Sequence, residues 1–250
     1  MNMDRSIKNI ELFSDPSLLS YRGAELFKEQ SNRNCKGFFR VALAGGNTPK
    51  KMYEILASEP FLSQIEWNKI EIFFGDERLV PLNHPDSNFC MANEVLLKNI
   101  PIPKENIHPV LVSSDKTPEE IALDYEKEIW TIFNILPPEV PVFDLIILGM
   151  GKDGHTASIF PHSNALLETK QLSLAVLPPP NVLPNILRIT LTPPVLLNAK
   201  QIMVLISGLE KANTWRRVLQ ELNNTDELPI KMICPLGNRV TWLLDSFAAG

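Results

Sequence analysis

No apolar run in this 250-residue chain approaches the length needed to span a bilayer, and the opening MNMDRSIKNIELF lacks the apolar stretch of a secretory signal. A cytoplasmic protein with no membrane partner is therefore expected. An excess of basic residues is also missing: 24 Lys and Arg against 29 Asp and Glu leave a formal net charge of -5. That balance argues against a nucleic-acid partner or an anionic membrane surface, so an anionic ligand would have to be held by a few local cations. Cysteine is scarce. Cys35, Cys90 and Cys234 are odd in number and far apart, with no C-x-x-C or Cys/His cluster, so neither a disulfide frame nor a zinc site is suggested. They read as buried small hydrophobes. No repeat, charge run or low-complexity linker marks a boundary, and 44% hydrophobic content supports a sizeable core, so residues 1–250 are expected to form a single domain.

What the chain does contain is apolar runs of strand length alternating with helical patterns. Residues 38–43 (FFRVAL), 70–74 (IEIFF), 143–148 (FDLIIL), 187–191 (LRITL) and 202–207 (IMVLIS) are continuous and rich in β-branched or aromatic residues, as buried strands are. The expected fold class is α/β: a mostly parallel, Rossmann-like sheet with helices on both faces. Helix starts are signalled by Thr48 before Pro49, by Thr117 before Pro118 with Glu120 closing a capping box, and by Ser207 with Glu210 in the same pattern. The proline-dense LPPPNVLPN, residues 177–185, excludes a helix or strand interior and reads as a loop or semi-rigid flap.

Four segments place polar chemistry directly after a strand. In the first, AGGNTP, Gly45, Gly46, Asn47 and Thr48 lead into a helix whose exposed amides and positive dipole end make an anion seat suited to phosphate. It is not a P-loop, because no G-K-[ST] occurs, and a tight turn that binds nothing is the alternative. In the second, Gly75, Asp76, Glu77 and Arg78 emerge from an apolar strand, where so many charges must pair or meet a ligand. Arg78 is a candidate oxyanion or phosphate clamp, the alternative being a salt bridge to Asp76 or Glu77. His84, in the polar loop that follows, reads as a surface residue.

The third segment, LGMGKDGHTASIF, contains Gly149, Gly151 and Gly154 in a G-x-G-x-x-G pattern after a strand. A dinucleotide site would need a long helix next and an acidic residue roughly twenty positions on, whereas Pro161 stops any helix early and no carboxylate has that spacing. The loop instead delivers His155, beside Asp153, to the carboxyl end of a buried strand, where ligands of open α/β sheets gather. A histidine with an ordinary pKa of about 6.5 can take a proton from water at neutral pH. Ser158 is not in a G-x-S-x-G, so a Ser-His-Asp hydrolase is not indicated. In the fourth, ISGLEKANTW, Lys211 falls in the first turn of a helix, where a cation opposes the dipole unless an anion compensates it or Glu210 screens it. Arg188, opening LRITLTPP, reads as a strand-end surface charge or a ligand contact.

Taken together and in this order, the four segments resemble the 6-phosphogluconolactonases, sugar-lactone hydrolases of the oxidative pentose phosphate pathway. The family pattern of a GG-[ST]-TP-like loop, GDER-x-VP…SN, LG-x-G-x-DGHTAS-[IL]FP, RITLT and a G-x-x-KA helix is met from Ala44 to Ala212. The resemblance implies the α/β sheet shared with glucosamine-6-phosphate deaminases and ribose-5-phosphate isomerases. Two departures stand out: the family usually has a lysine or arginine in the proline-rich segment, and none lies between Lys170 and Arg188 here. His162 also stands where a glycine commonly follows FP.

The function implied is metal-independent hydrolysis of a phosphosugar lactone. His155 would be general base and then acid, with Asp76 or Asp153 orienting its imidazole. Arg78 and backbone amides would stabilise the oxyanion, and Gly45, Gly46, Asn47, Thr48, Lys211 and Arg188 would hold the phosphate. No cofactor is required, because a lactone is already activated. A 6-phosphohexosamine deaminase or isomerase is the nearest alternative, but deaminases carry GHIAFNEP where this chain has GHTASIFP. A non-catalytic sugar-phosphate sensor is the other, and the residues before Phe38 leave no room for a helix-turn-helix.

Overall fold

The computed structural model describes residues 7–33, 37–221 and 224–250. Six parallel strands form the central sheet: β1 (Ile10–Phe13), β2 (Phe39–Leu43), β3 (Ile70–Phe74), β5 (Leu145–Gly149), β8 (Gln201–Ile206) and β9 (Val240–Asp245), in the order β1-β9-β8-β5-β2-β3. A second, antiparallel sheet of three short strands, β4 (Asp76–Arg78), β6 (Ser173–Val176) and β7 (Arg188–Leu191), runs in the order β4-β7-β6. The α/β expectation holds, with one correction: LRITL is a strand of the antiparallel sheet. Its residues pair with the polar strand Asp76–Arg78, whose charges gave no strand signal.

Alternation along each parallel strand builds two cores, because successive side chains point to opposite faces. On β5, Leu145 and Ile147 join a cluster with Leu19, Phe27, Tyr53 and Trp67, while Ile146 and Leu148 join another with Tyr125, Ile129, Trp215 and Trp242. The first face is covered by α1 (Pro16–Arg33), α2 (Asn47–Leu56), α3 (Phe61–Gln64) and α4 (Asn88–Val95). The second is covered mainly by α5 (Pro118–Phe133), α6 (Pro193–Asn198) and α7 (Ala212–Gln220), and the chain closes with α8 (Ser246–Ala249). Burial on both faces explains why these strands read as unbroken apolar runs.

The Thr117 capping box is present, with both reciprocal hydrogen bonds made. The other two helix starts differ from expectation. α2 begins at Asn47, with Gly46 at the N-cap and no capping bond from Thr48, since Gly46 has φ 101° and turns the chain one step earlier. Ser207 is not a cap: its hydroxyl donates to Asp245 at 2.6 Å, and Gly208 opens a short 3-10 turn, Leu209–Lys211, ahead of α7. Lys211 therefore stands at the N-cap of α7 rather than within its first turn. Cys234 is buried as expected, Cys90 is only partly buried, and Cys35 lies outside the described residues.

Candidate active site

The carboxyl ends of β2, β3, β5 and β8 open into a cleft of about 550 Å3. Where a strand ends, its backbone N–H and C=O lose ladder partners and must find others. Two buried tyrosines, which gave no signal in the sequence, supply them. The Tyr53 hydroxyl donates to Ala44 O at 2.9 Å and accepts from Ala44 N at 3.0 Å, just past β2. Tyr125 makes the same pair of bonds with Phe74 at the end of β3. These clamps fix the exits from which Gly45 and Asp76 enter the site. Gly45 and Gly46 line the cleft, whereas Asn47 and Thr48 do not. At Gly45 a Cβ would overlap the Asn88 amide, so only glycine permits that approach.

His155 is held by its own loop. Gly151 N donates to His155 O at 2.8 Å, Gly154 N donates to Gly151 O at 3.1 Å, and Thr156 Oγ1 donates to Gly149 O at 2.9 Å. Gly154 has φ 83°, which a larger residue would adopt only with strain, and the side chain of Leu228 occupies the space a Cβ would need. Of the two aspartates left open by the sequence, Asp153 is the one at the imidazole: Nδ1 of His155 lies 2.5 Å from Asp153 Oδ1. Burial pushes the Asp153 carboxyl up, but the hydrogen bond and charge of His155 outweigh it and hold the group below the usual carboxylate value. The ring of His155 leans on Phe160, with centroids 4.8 Å apart.

Asp76 has another task. Its Oδ2 accepts from Ser158 Oγ at 2.7 Å and lies 3.8 Å from Arg188 Nη1, while Asn88 Nδ2 donates to its main-chain oxygen at 2.8 Å. Glu77, fully buried, faces away and accepts from the amides of Arg78, Asn88 and Phe89 and from the Ser87 hydroxyl, so it holds the start of α4 instead of pairing with Arg78. Burial still pushes its carboxyl upward, against those four bonds. Arg78 makes no ion pair with Asp76 or Glu77; Nη1 donates to Asp86 O at 2.8 Å and Nε is buried without a partner.

The antiparallel register then sets Arg78 directly opposite Arg188. Like charges facing each other across a strand pair are destabilising on their own. Arg188 is not a surface residue: it is buried, its Nε also lacks a partner, and burial draws its guanidinium below its usual pKa, with Asp76 opposing that and Arg78 adding to it. Lys211 lines the same cleft and is likewise pulled down by burial, with Glu210 opposing and Lys152 reinforcing the shift. Lys152 itself lines the cleft and was missed in the sequence; its place between Gly151 and Asp153 was the available signal. The flap contributes Asn181, Val182 and Leu183 to the wall, without a cation. His84 sits outside the cleft with Asp86, and exposed His162 pairs with Asp226 at 2.7 Å and Glu227 at 3.3 Å.

A histidine–aspartate pair that shares a cleft with four cationic side chains can move a proton on an anionic substrate. The chain was also compared with known proteins. The model of the family described as glucosamine-6-phosphate isomerases/6-phosphogluconolactonase matches residues 14–242. The chain belongs to that family. A 6-phosphogluconolactonase of Nostoc sp. is 37% identical over 243 residues, covering 96% of this chain and 97% of the relative. One from Synechocystis sp. is 39% identical over 213 residues, covering 85% and 84%. The solved 6-phosphogluconolactonase from Trypanosoma cruzi superposes with a TM-score of 0.88 at 30% identity, over 100% of this chain and 98% of that one. A monomeric glucosamine-6-phosphate deaminase shares the fold, with a TM-score of 0.82 at 20% identity over 97% and 99%. This family member is thus an enzyme of the 6-phosphogluconolactonase kind. No helix among its described residues is long and apolar enough to cross a membrane.

Proposed function

We propose that the chain hydrolyses 6-phospho-D-glucono-1,5-lactone to 6-phospho-D-gluconate, in the oxidative pentose phosphate pathway, as one cytoplasmic domain spanning residues 1–250. The observation that carries the reading is the His155–Asp153 pair opening on a cleft whose two facing arginines each keep a buried Nε without a partner. A buried donor without a partner is costly, which favours a ligand that brings an acceptor to it.

With Asp153 accepting from Nδ1–H, Nε2 of His155 is the free base. It takes a proton from water as the water oxygen bonds to the lactone carbonyl carbon. Arg78 stabilises the negative charge that forms on the carbonyl oxygen. The bond from that carbon to the ring oxygen then breaks, and the imidazolium returns its proton to the departing oxygen. Arg188, Lys211 and the Gly45–Gly46 turn hold the phosphate away from the reacting centre. The scheme calls on no metal, since a lactone is already an activated ester.

Proton release on adding the lactone to the purified protein tests the proposal. His155→Ala should slow turnover by about a hundredfold to ten-thousandfold, the usual contribution of a general base, with a modest change in KM. A folded His155→Ala protein with wild-type kcat would sink the mechanism.

A further inference from the structure

Ser158 lies three residues beyond His155 on the same loop and is completely buried. It takes no part in the mechanism above, yet its main-chain N–H and its hydroxyl both bond to residues of the small sheet. Its main-chain N–H donates to Thr190 Oγ1 at 3.1 Å, its hydroxyl donates to Asp76 Oδ2 at 2.7 Å, and Arg188 Nη1 lies 3.4 Å from the same hydroxyl. Period-two alternation puts Asp76, Arg78, Arg188 and Thr190 on one face of the small sheet, so Ser158 plugs into that face between strands β4 and β7.

The consequence is a defined posture for Arg188. Nη1 is tethered by the Ser158–Asp76 pair, Nη2 faces Pro184 O at 3.4 Å, and the guanidinium carbon sits 5.5 Å over the Phe160 ring. Nε is left buried and without a partner, and Arg188 is one of the residues that line the cleft. Without the tether, the guanidinium could swing to pair with Asp76 alone and turn its donors away from the cleft. The Ser158 hydroxyl prevents this by occupying one carboxylate oxygen itself, at a shorter distance than Arg188 reaches.

We propose that Ser158 is a positioning residue which, by binding Asp76, keeps the Arg188 guanidinium turned into the cleft as a seat for a phosphate dianion. The inference rests on the reading of Arg188 as a phosphate contact, but its test does not depend on lactone turnover.

Inorganic phosphate binding, followed by titration calorimetry, is measured for the wild type, Ser158→Ala, Arg188→Met and the double variant, with melting temperatures on the same preparations. Loss of one hydrogen bond to a charged group corresponds to roughly tenfold to 150-fold in affinity, so Ser158→Ala should weaken phosphate binding by at least about tenfold. The double variant should bind no more weakly than Arg188→Met, because Ser158 acts only through that arginine. If Ser158→Ala does not fold, Ser158→Cys, whose thiol is a weak donor, carries the same comparison. An unchanged phosphate affinity with a lowered melting temperature, or additive losses in the double variant, would overturn the proposal. A protein that passes this cycle but leaves the lactone intact would retain the Arg188 seat and refute the lactonase reading instead.

Discussion

Removing the carboxylate of Asp153 isolates the partner of the proposed base. Asp153 accepts from the His155 ring at 2.5 Å and from the His155 main-chain N–H at 3.2 Å, and its side chain is about one-quarter exposed. Under the proposed mechanism, Asp153→Ala leaves the imidazolium formed during water attack without its counter-ion and the ring without its fixed tautomer. A net hydrogen bond to a charged group contributes about 1.5–3 kcal/mol, which at about 1.4 kcal/mol per decade lowers kcat by roughly tenfold to 150-fold. KM should behave differently. The Asp153 charge is felt by both Arg188 and Lys211, so deleting it leaves the phosphate seat more positive, and KM should hold steady or fall. Steady-state proton release on the wild type, Asp153→Ala, His155→Ala and the double variant gives all the terms. Because Asp153 works through His155, the double variant should be no slower than His155→Ala. Wild-type kcat in folded Asp153→Ala, or a further loss in the double variant equal to the single one, would refute the reasoning.

Lys211→Ala should raise KM for the lactone much more than it lowers kcat, since a remote phosphate contact is lost about equally from ground and transition states; an unchanged KM would remove Lys211 from the seat. Treatment with EDTA followed by desalting should leave turnover intact, and activity lost and then restored by a divalent ion would contradict the metal-free scheme. His162 makes a third case, through stability. Its pKa is raised by the hydrogen bond and charge of Asp226, so its stabilising pair is fully present below the ordinary histidine value of about 6.5 and is lost as pH rises through the higher folded value. His162→Asn suits the left-handed backbone there (φ 58°) and should melt below the wild type at pH 6 but together with it at pH 9, with the gap shrinking in salt. A gap that widens toward alkaline pH would reverse the assignment.

Much of this molecule is readable from neighbouring residues alone. Strands buried on both faces announce themselves as apolar runs, the Thr117–Glu120 cap needs only a three-residue spacing, and the glycine loop that carries His155 past β5 is continuous in sequence. The polar exits of β2, β3, β5 and β8 were legible for the same reason, and a parallel sheet obliges them to meet at one edge. What tertiary structure decided is every contact that spans distance along the chain. Asp76 meets Ser158 across 82 residues, Arg78 faces Arg188 through antiparallel register, and the Tyr125 hydroxyl closes a strand end 51 residues away. Ser207 has the local credentials of a cap, yet Asp245, 38 residues on, captures its hydroxyl. Local rules count only the partners a few positions away, whereas a buried polar group takes whichever partner the packed sheet brings within about 3 Å. Sequence therefore pointed to His155, Arg78, Arg188 and Lys211 but not to Lys152, and packing brought Asp153 to the imidazole and Asp76 to Ser158 and Arg188.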